Sequence, residues 1–245
     1  MIPAYNEARR LPGTLAGISE YLAQTGQNAE VIVVDDGSGD GTVERIRRQP
    51  GHSLPPKVIA FEANRGKGAA VREGLLAATG RYILFMDADH STPVSEVDKL
   101  LKVVRSKNGA PVVIGSRYLR PDSIKIRQPW YRVAISRFGN GLIRLVLLPN
   151  VKDTQCGFKL FRRDAAREIA GLLRMERFSF DMELLLIAKQ LGYDVREVPV
   201  DWYDTPGTRL RPIKSTLQTF ADLVRIRTNL WRGRYRRIVP AAETK

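Results

Sequence analysis

Apolar β-branched runs alternate along the chain with segments whose apolar residues recur every three or four positions. The runs are nearly continuous in apolar residues, as strands buried on both faces are, and they cover residues 29–36, 56–62, 81–87 and 110–117. Helical segments cover residues 11–24, 67–79 and 93–106. This alternation predicts an α/β fold with a doubly wound, mainly parallel sheet and helices on both faces.

The second half of the chain has a different pattern. Between residues 121 and 150, aromatic and apolar residues are interleaved with arginines, which favours amphipathic helices at an interface. Further elements are predicted as strands at 158–163 and 194–202 and helices at 164–173 and 181–191. Residues 213–237 predict a long helix, with six arginines between 225 and 237 beside Trp231 and Tyr235.

Charge adds information about the partner. Lysine and arginine number 40 against 26 acidic residues, so the net charge is +14, which favours nucleic acid, anionic lipid or a phosphorylated substrate. A single cysteine, Cys156, excludes an internal disulfide and fits a reducing compartment. The sequence contains no run of 18 uncharged apolar residues, so no transmembrane helix is predicted.

Polar loops follow each predicted strand, and these loops predict where the site lies. Ligands of parallel sheets bind beyond the carboxyl ends of the strands. The start of the chain, "MIPAYNE", predicts the end of a further, first strand, so five segments are found there: "PAYNE", "DDGSGDGT", "ANRGKGAAV", "DADHS" and "GSR". One such loop is unremarkable, whereas five at one edge predict a binding site.

Asp87 and Asp89 carry the most specific chemistry. Residues i and i+2 of an extended segment point the same way, so two carboxylates placed like this repel unless a cation lies between them. Oxygen ligands of this kind suit Mg²⁺ or Mn²⁺ bound together with substrate phosphates. The alternative is a turn before the helix that starts at Pro93. The pair Asp35 and Asp36 likewise suits either a turn or hydrogen bonds to a base or ribose. Lys67 suits either a contact with a phosphate or a solvent-exposed position at the start of a helix.

These motifs, in their order along residues 2–212, resemble glycosyltransferase family 2 enzymes of GT-A fold. With "FSFDMELL" and "DTPGTRLRP", they are similar to the polyprenyl-phosphate (dolichyl-phosphate) sugar synthases. The segment "DTQCGFKLF" at 153–161 resembles the dolichyl-phosphate glucosyltransferase branch.

The resemblance implies a role for each matching residue. Base and ribose of a nucleotide sugar would be held by Pro3, Tyr5, Glu7, Asp35 and Asp36, with Lys67 close to the nucleotide. Asp87 would approach the sugar, and the metal would be bound by Asp89 and Ser91. The acceptor phosphate would be held by Arg117, Arg132 and Ser136, the acceptor side lined by Gln155, Asp181 and Glu183, and the diphosphate steadied by Arg209. The catalytic set is then Asp87, Asp89, Arg117 and Arg132.

The resemblance also implies an organisation. Residues 1–212 form the GT-A domain, with a nucleotide-sugar half at about 1–117 and an acceptor half at about 118–212. The basic tail at 213–245 docks on an anionic membrane surface, which predicts a peripheral protein on the cytoplasmic face. The predicted reaction is an inverting transfer, dependent on Mg²⁺ or Mn²⁺, from UDP-glucose or a related UDP-sugar to polyprenyl phosphate.

Several alternatives to this reaction and to this mode of docking remain. The donor could be GDP-mannose, or the acceptor a non-lipid glycan. A non-enzymatic protein that binds nucleic acid through its tail is disfavoured, because no nucleic-acid motif accompanies the arginines. Docking through a membrane-protein partner or a homo-oligomer is also open.

Overall fold

The computed structural model describes residues 1–48, 55–125, 141, 143–203 and 212–237, with the backbone alone for 212–219. Its strands fall into two hydrogen-bonded groups. One has the order β1-β2-β3, all parallel, and the other the order β4-β6-β5-β7. The strands are β1 (Ile2–Ala4), β2 (Ile32–Asp35), β3 (Lys57–Ala60), β4 (Tyr82–Met86), β5 (Val112–Ser116), β6 (Phe158–Arg162) and β7 (Val195–Pro199).

The two groups meet where β1 lies beside β4. The backbone N–H of Met86 donates to the Met1 carbonyl (3.2 Å), and the Met1 amino group donates to the Leu84 carbonyl (2.6 Å). The strands therefore follow one another as β3-β2-β1-β4-β6-β5-β7. Strand β6 is antiparallel to both its neighbours, and β7 is parallel to β5. The predicted mainly parallel α/β sheet is confirmed.

Helices cover both faces of the sheet, as predicted. They are α1 (Leu11–Thr25), α2 (Thr42–Arg48), α3 (Lys67–Ala77), α4 (Val97–Val104, after a 3₁₀ turn at Val94–Glu96), α5 (Arg163–Leu172), α6 (Phe180–Gln190) and α7 (Pro212–Trp231). One core cluster packs α3, α5 and α6 on one side of the sheet, and a second packs α1 and α4 on the other. Two apolar cores thus hold the carboxyl ends of the strands rigidly at one edge.

The C-terminal helix joins the first of these cores. Leu223 and Ile226 of α7 are buried there, and Tyr235 beyond the helix is buried too. None of the described helices is long and apolar enough to cross a membrane. The predicted interfacial helices of 121–150 fall largely outside the described residues, and the predicted boundary near residue 212 borders 204–211, which also lie outside them.

Candidate active site

The parallel strands end at one edge of the sheet, and the predicted polar residues gather there. Asp35 is the last residue of β2, paired in register with Ala4 of β1. Asp87 follows β4, and Arg117 follows β5. Because β5 and β4 are both antiparallel to β6, they run the same way and present these side chains at the same edge.

Asp35 and Asp36 have different surroundings. Asp36 accepts hydrogen bonds from Asn64 Nδ2 (2.8 Å) and from the backbone N–H groups of Arg65 (2.7 Å) and Gly66 (2.9 Å). With these bonds Asp36 fixes the loop that leads to α3. Its contact with the nucleotide stays a prediction. Asp35 accepts from the Ser38 N–H (2.9 Å) through Oδ2, while its Oδ1 is buried without a partner among the described residues.

The loop after β1 brings in an arginine that the sequence analysis missed. Pro3 is buried in β1, and Tyr5 is exposed. Glu7 holds the Arg10 guanidinium with both carboxylate oxygens. The hydrogen bonds that Arg10 donates to Glu7, and then the negative charges of Glu7, Asp89 and Asp87, raise the pKa of Arg10. A permanent cation thus lies near the aspartate pair, and the i, i+3 spacing of Glu7 and Arg10 was the signal that could have found it.

Lys67 and Asp87 form an ion pair at the start of α3, with Nζ and Oδ1 2.6 Å apart. Burial lowers the pKa of Lys67, but Asp87 and then Asp181 outweigh it, so the ammonium stays charged. The glycines on either side of Lys67 make room for backbone, because a Cβ at Gly66 or Gly68 would overlap the carbonyls of residues 175–176. The "RGKG" motif therefore serves packing as well as the site.

Asp89 and Ser91 form the turn after Asp87. The Ser91 N–H donates to Asp89 Oδ1 (3.0 Å), and Ser91 is buried at the wall of a small open cleft. The cleft is lined by Met86, Asp87, Ser91, Thr92, Gly157, Phe158 and Trp202. The imidazole of His90 lies instead against Gly17 of α1.

The oxygen ligands at this turn suit a metal ion that is also bound by substrate phosphates. Within residues 1–48, 55–125, 143–203 and the described tail, no three His, Cys, Asp or Glu side chains come together as metal ligands. Asp87 is engaged by Lys67, and Asp89 and Ser91 in the next turn are the oxygen ligands that the sequence predicts. Mg²⁺ commonly binds in this way, through one or two carboxylates with substrate phosphates completing its shell. The residues fit a cation that arrives with a diphosphate.

Arg117 is held in place by Asp153, another residue that the sequence analysis missed. Nε and Nη2 of the guanidinium donate to the two Asp153 oxygens at 2.8 and 2.9 Å. Burial opposes ionisation of Asp153, but Arg117 outweighs it and holds the pKa of that carboxyl below its ordinary value. Tyr118 and Trp202 lie 5.4 and 5.5 Å from the guanidinium carbon. Arg117 is thus a rigid, largely buried cation at the sheet edge.

The remaining predicted residues divide into three groups. Gln155 is exposed beside this edge, and Asp181 is buried in an ion pair with Lys159. Glu183 is fully buried and accepts hydrogen bonds from the Tyr235 hydroxyl and the N–H groups of Arg174 and Met175. Its place on the acceptor side stays a prediction. Arg132, Ser136 and Arg209 lie outside the described residues.

Sequence comparison supports the family suggested by the motifs. The profile of "Glycosyl transferase family 2" matches residues 1–170. A dolichyl-phosphate beta-glucosyltransferase of Drosophila melanogaster is 40% identical over 95% of this chain and 76% of its own. The Homo sapiens enzyme of the same name is 36% identical over 96% of this chain and 76% of its own.

Solved structures agree on the fold. Mannosyl-3-phosphoglycerate synthase from Rubrobacter xylanophilus superposes with a TM-score of 0.67 at 17% identity, over 98% of this chain and 76% of that one. Glucosyl-3-phosphoglycerate synthase from Mycobacterium tuberculosis, in complex with UDP, gives 0.64 at 21% identity, over 92% and 78%. The chain belongs to glycosyl transferase family 2, and its sequence is similar to the dolichyl-phosphate beta-glucosyltransferases of that family.

Proposed function

We propose that this protein transfers glucose from UDP-glucose to polyprenyl phosphate, with inversion at the anomeric carbon. The observation that carries the proposal is the placement of two largely buried cations, Lys67 and Arg117, at the sheet edge that also presents Asp89. A nucleotide sugar and a lipid phosphate both bring phosphate charge, which such cations bind. The names of the similar family members support glucose and dolichyl phosphate.

The choice of UDP is supported by Asp35. Its Oδ2 is occupied by the Ser38 N–H, so one buried acceptor, Oδ1, faces no partner among the described residues. Uracil presents a single imide N–H between two carbonyls, and this oxygen can accept it. The Mycobacterium tuberculosis neighbour was itself crystallised with Mn²⁺ and UDP-glucose.

Arg117 orients the acceptor phosphate and takes no part in proton transfer. A phosphate monoester has a second pKa of about 6, so the attacking oxygen is already ionised at neutral pH and needs no general base. Cys156 supplies none, because burial raises the pKa of its thiol to about 12. Holding the acceptor phosphate against Arg117 aligns its oxygen with the anomeric carbon.

The proposed displacement occurs in one step. A bond forms between the acceptor phosphate oxygen and the anomeric carbon while the bond to the UDP diphosphate breaks, so an α-linked donor gives a β-linked product. Lys67 lies where it can stabilise the departing diphosphate. Mg²⁺ or Mn²⁺ held by Asp89 and Ser91 would supply further neutralisation of that charge.

The membrane surface is proposed to meet the outer face of α7. Phe220, Val224 and Trp231 are exposed there, and Arg227 lies over the Trp231 ring at 5.7 Å. Aromatic and aliphatic side chains beside arginines suit an anionic bilayer surface. This face would place the protein peripherally on the cytoplasmic side of the membrane, with the basic segment beyond residue 212 packed on the GT-A domain through Leu223, Ile226 and Tyr235.

A transfer assay tests the proposal. The protein is incubated with Mg²⁺, polyprenyl phosphate and a radiolabelled sugar nucleotide, and the products are partitioned between chloroform–methanol and water. Label from UDP-glucose is expected in the organic phase. Label from GDP-mannose there would indicate a mannosyltransferase, and label found only in an aqueous glycan would contradict the lipid acceptor.

A further inference from the structure

Lys159 is a buried charge that the proposed chemistry does not yet use. Its side chain is fully buried in the middle of β6, where an apolar residue would suit the core. The ammonium group donates to the Asp181 carboxylate and to the Cys156 carbonyl (2.6 Å). Burying a charge is costly even when it is paired, so its retention calls for a task beyond packing.

The first connection between Lys159 and the site is electrostatic. Asp181 pairs with Lys159, and its negative charge also raises the pKa of Lys67. Lys67 in turn pairs with Asp87. The two ammonium groups lie 5.5 and 5.6 Å from the centroid of the Phe85 ring. Four charges of alternating sign therefore lead from the core to the sheet edge. Without Lys159, Asp181 would compete with Asp87 for Lys67.

The second connection runs through the backbone. Lys159 lies opposite Phe85 in the β4–β6 register, two residues before Asp87. Its bond to the Cys156 carbonyl fixes the peptide that precedes Gly157. Gly157 accepts a hydrogen bond from the Asp87 N–H (3.0 Å), and only the absence of a Cβ there leaves room for the Asp87 carboxylate.

We propose that Lys159 is a positioning residue for the donor site. Through Asp181 and through the Cys156–Gly157 peptide, it holds the Lys67–Asp87 pair in the arrangement that binds the diphosphate and sugar of the donor. The inference rests on the proposed function, since it assumes that this pair faces a nucleotide sugar. Lys159, in the "GFK" segment, would therefore raise the affinity for the donor without touching the donor itself.

The test removes the charges without leaving one of them alone in the core. Lys159→Met combined with Asp181→Asn keeps the side-chain volumes, and neutral replacement of a buried ion pair is commonly tolerated. The matched control is Arg162→Met with Asp164→Asn, an exposed ion pair (3.0 Å) that also begins on β6. Melting temperature establishes folding, and titration calorimetry gives the Kd for UDP-glucose with Mg²⁺.

The double variant is expected to melt close to the wild type but to bind UDP-glucose about tenfold more weakly. The control pair is expected to leave both the melting temperature and the Kd unchanged. In a Lys67→Met background the same double change is expected to cost nothing further, because it acts through Lys67. A folded double variant with wild-type affinity, or losses that add in the Lys67→Met background, would overturn the inference.

If the double variant does not fold, single substitutions at Lys159 test the inference instead. Lys159→Arg, which keeps the charge, is then expected to retain more UDP-glucose affinity than Lys159→Gln, and equal losses would contradict the inference. Failure of the proposed function is separate: a wild type that binds UDP-glucose yet labels no lipid would refute the acceptor while leaving the affinity comparison intact.

Discussion

At the scale of single residues, the sheet edge is built from charges held in pairs. Lys67 pairs with Asp87, and Arg117 pairs with Asp153. Each cation is fixed by its own carboxylate, so it can meet a phosphate without a large loss of side-chain entropy. The pairs differ in burial: Asp153 is 1% exposed, whereas Asp87 keeps 33% of its side chain open to the cleft.

Asp153→Asn tests the buried pair. Removing one partner leaves the Arg117 guanidinium buried without a countercharge, which is expected to lower the free energy of unfolding by about 3 kcal/mol. Chemical denaturation measures it. Asp194→Asn, which removes an exposed ion pair with Arg196 (2.8 Å), is the matched control and is expected to change little. Equal losses in the two variants would contradict the assignment.

The pH dependence of this difference has a definite sign. The pKa of Asp153 is lowered in the folded protein, so its contribution is present above the ordinary value of 3.8 and is lost as the pH falls. The stability gap between wild type and Asp153→Asn is therefore expected to be full at neutral pH and to shrink below about pH 3.8. A gap that widens in acid would contradict this.

Gly157→Ala tests the placement of Asp87. An added Cβ would overlap the Asp87 carboxylate, so that side chain must move away from Lys67. A displacement of this size is expected to lower kcat/KM for glucose transfer by about 100-fold. Gly171→Ala in α5, where a Cβ meets nothing within 4 Å, is the control and is expected to raise stability by about 1 kcal/mol at unchanged activity.

Some of these residues could be predicted from the sequence and others could not. The metal role of Asp89 stays a prediction, and Asp89 lies in a turn rather than in the extended segment from which a carboxylate pair was expected. Asp87 was predictable at the strand end from the apolar run before it. Asp153 and Lys159 were not, because their partners lie 36 and 22 positions away and depend on the pairing of β6 with its neighbours. The hydrogen bonds that Asp36 and Glu183 accept within the protein were not predictable either, because nothing local shows them.

At the scale of elements, α7 is tied to the site by hydrogen bonds. The Tyr235 hydroxyl donates to Glu183 of α6 (2.6 Å), and Glu183 holds the N–H groups of Arg174 and Met175. The next residue, Glu176, accepts from the Ala69 N–H in α3 (3.1 Å), two residues after Lys67. The sequence predicted this helix from its periodicity, but its attachment to the core depends on Tyr235, which the arginine-rich pattern concealed.

Tyr235→Phe tests that attachment. It leaves a buried carboxylate oxygen of Glu183 without its donor, which is expected to lower the free energy of unfolding by about 2 kcal/mol. Tyr193→Phe, a half-buried tyrosine on the same side of the molecule, is the control and is expected to cost less. Thermal denaturation compares them, and equal stability of Tyr235→Phe and wild type would show that the segment beyond α7 is not anchored there.

At the scale of the whole molecule, a net charge of +14 is combined with an apolar face on α7. Electrostatic attraction alone weakens as salt rises, whereas buried apolar side chains retain a bilayer-bound protein. The sequence predicted the sign of the charge and the basic helix. It did not predict which residues of that helix face outward, because this follows from the burial of Leu223 and Ile226.

Substituting the outer face tests the membrane proposal. Phe220→Ser, Val224→Ser and Trp231→Ser together are expected to weaken cosedimentation with phosphatidylserine–phosphatidylcholine vesicles at least about tenfold, since three exposed apolar side chains are lost without touching the core. Phe178→Ser, also at an exposed phenylalanine, is the control and should bind as the wild type does. Unchanged binding of the triple variant would reject this face.

The most direct test of the central claim is the structure of the lipid product made from UDP-glucose and polyprenyl phosphate. Phosphorus-coupled NMR of the purified product reports both the linkage and the anomeric configuration. Single displacement by a phosphate oxygen predicts a glucosyl–phosphate linkage in the β configuration. An α-linked product, or glucose attached elsewhere than to phosphate, would contradict it.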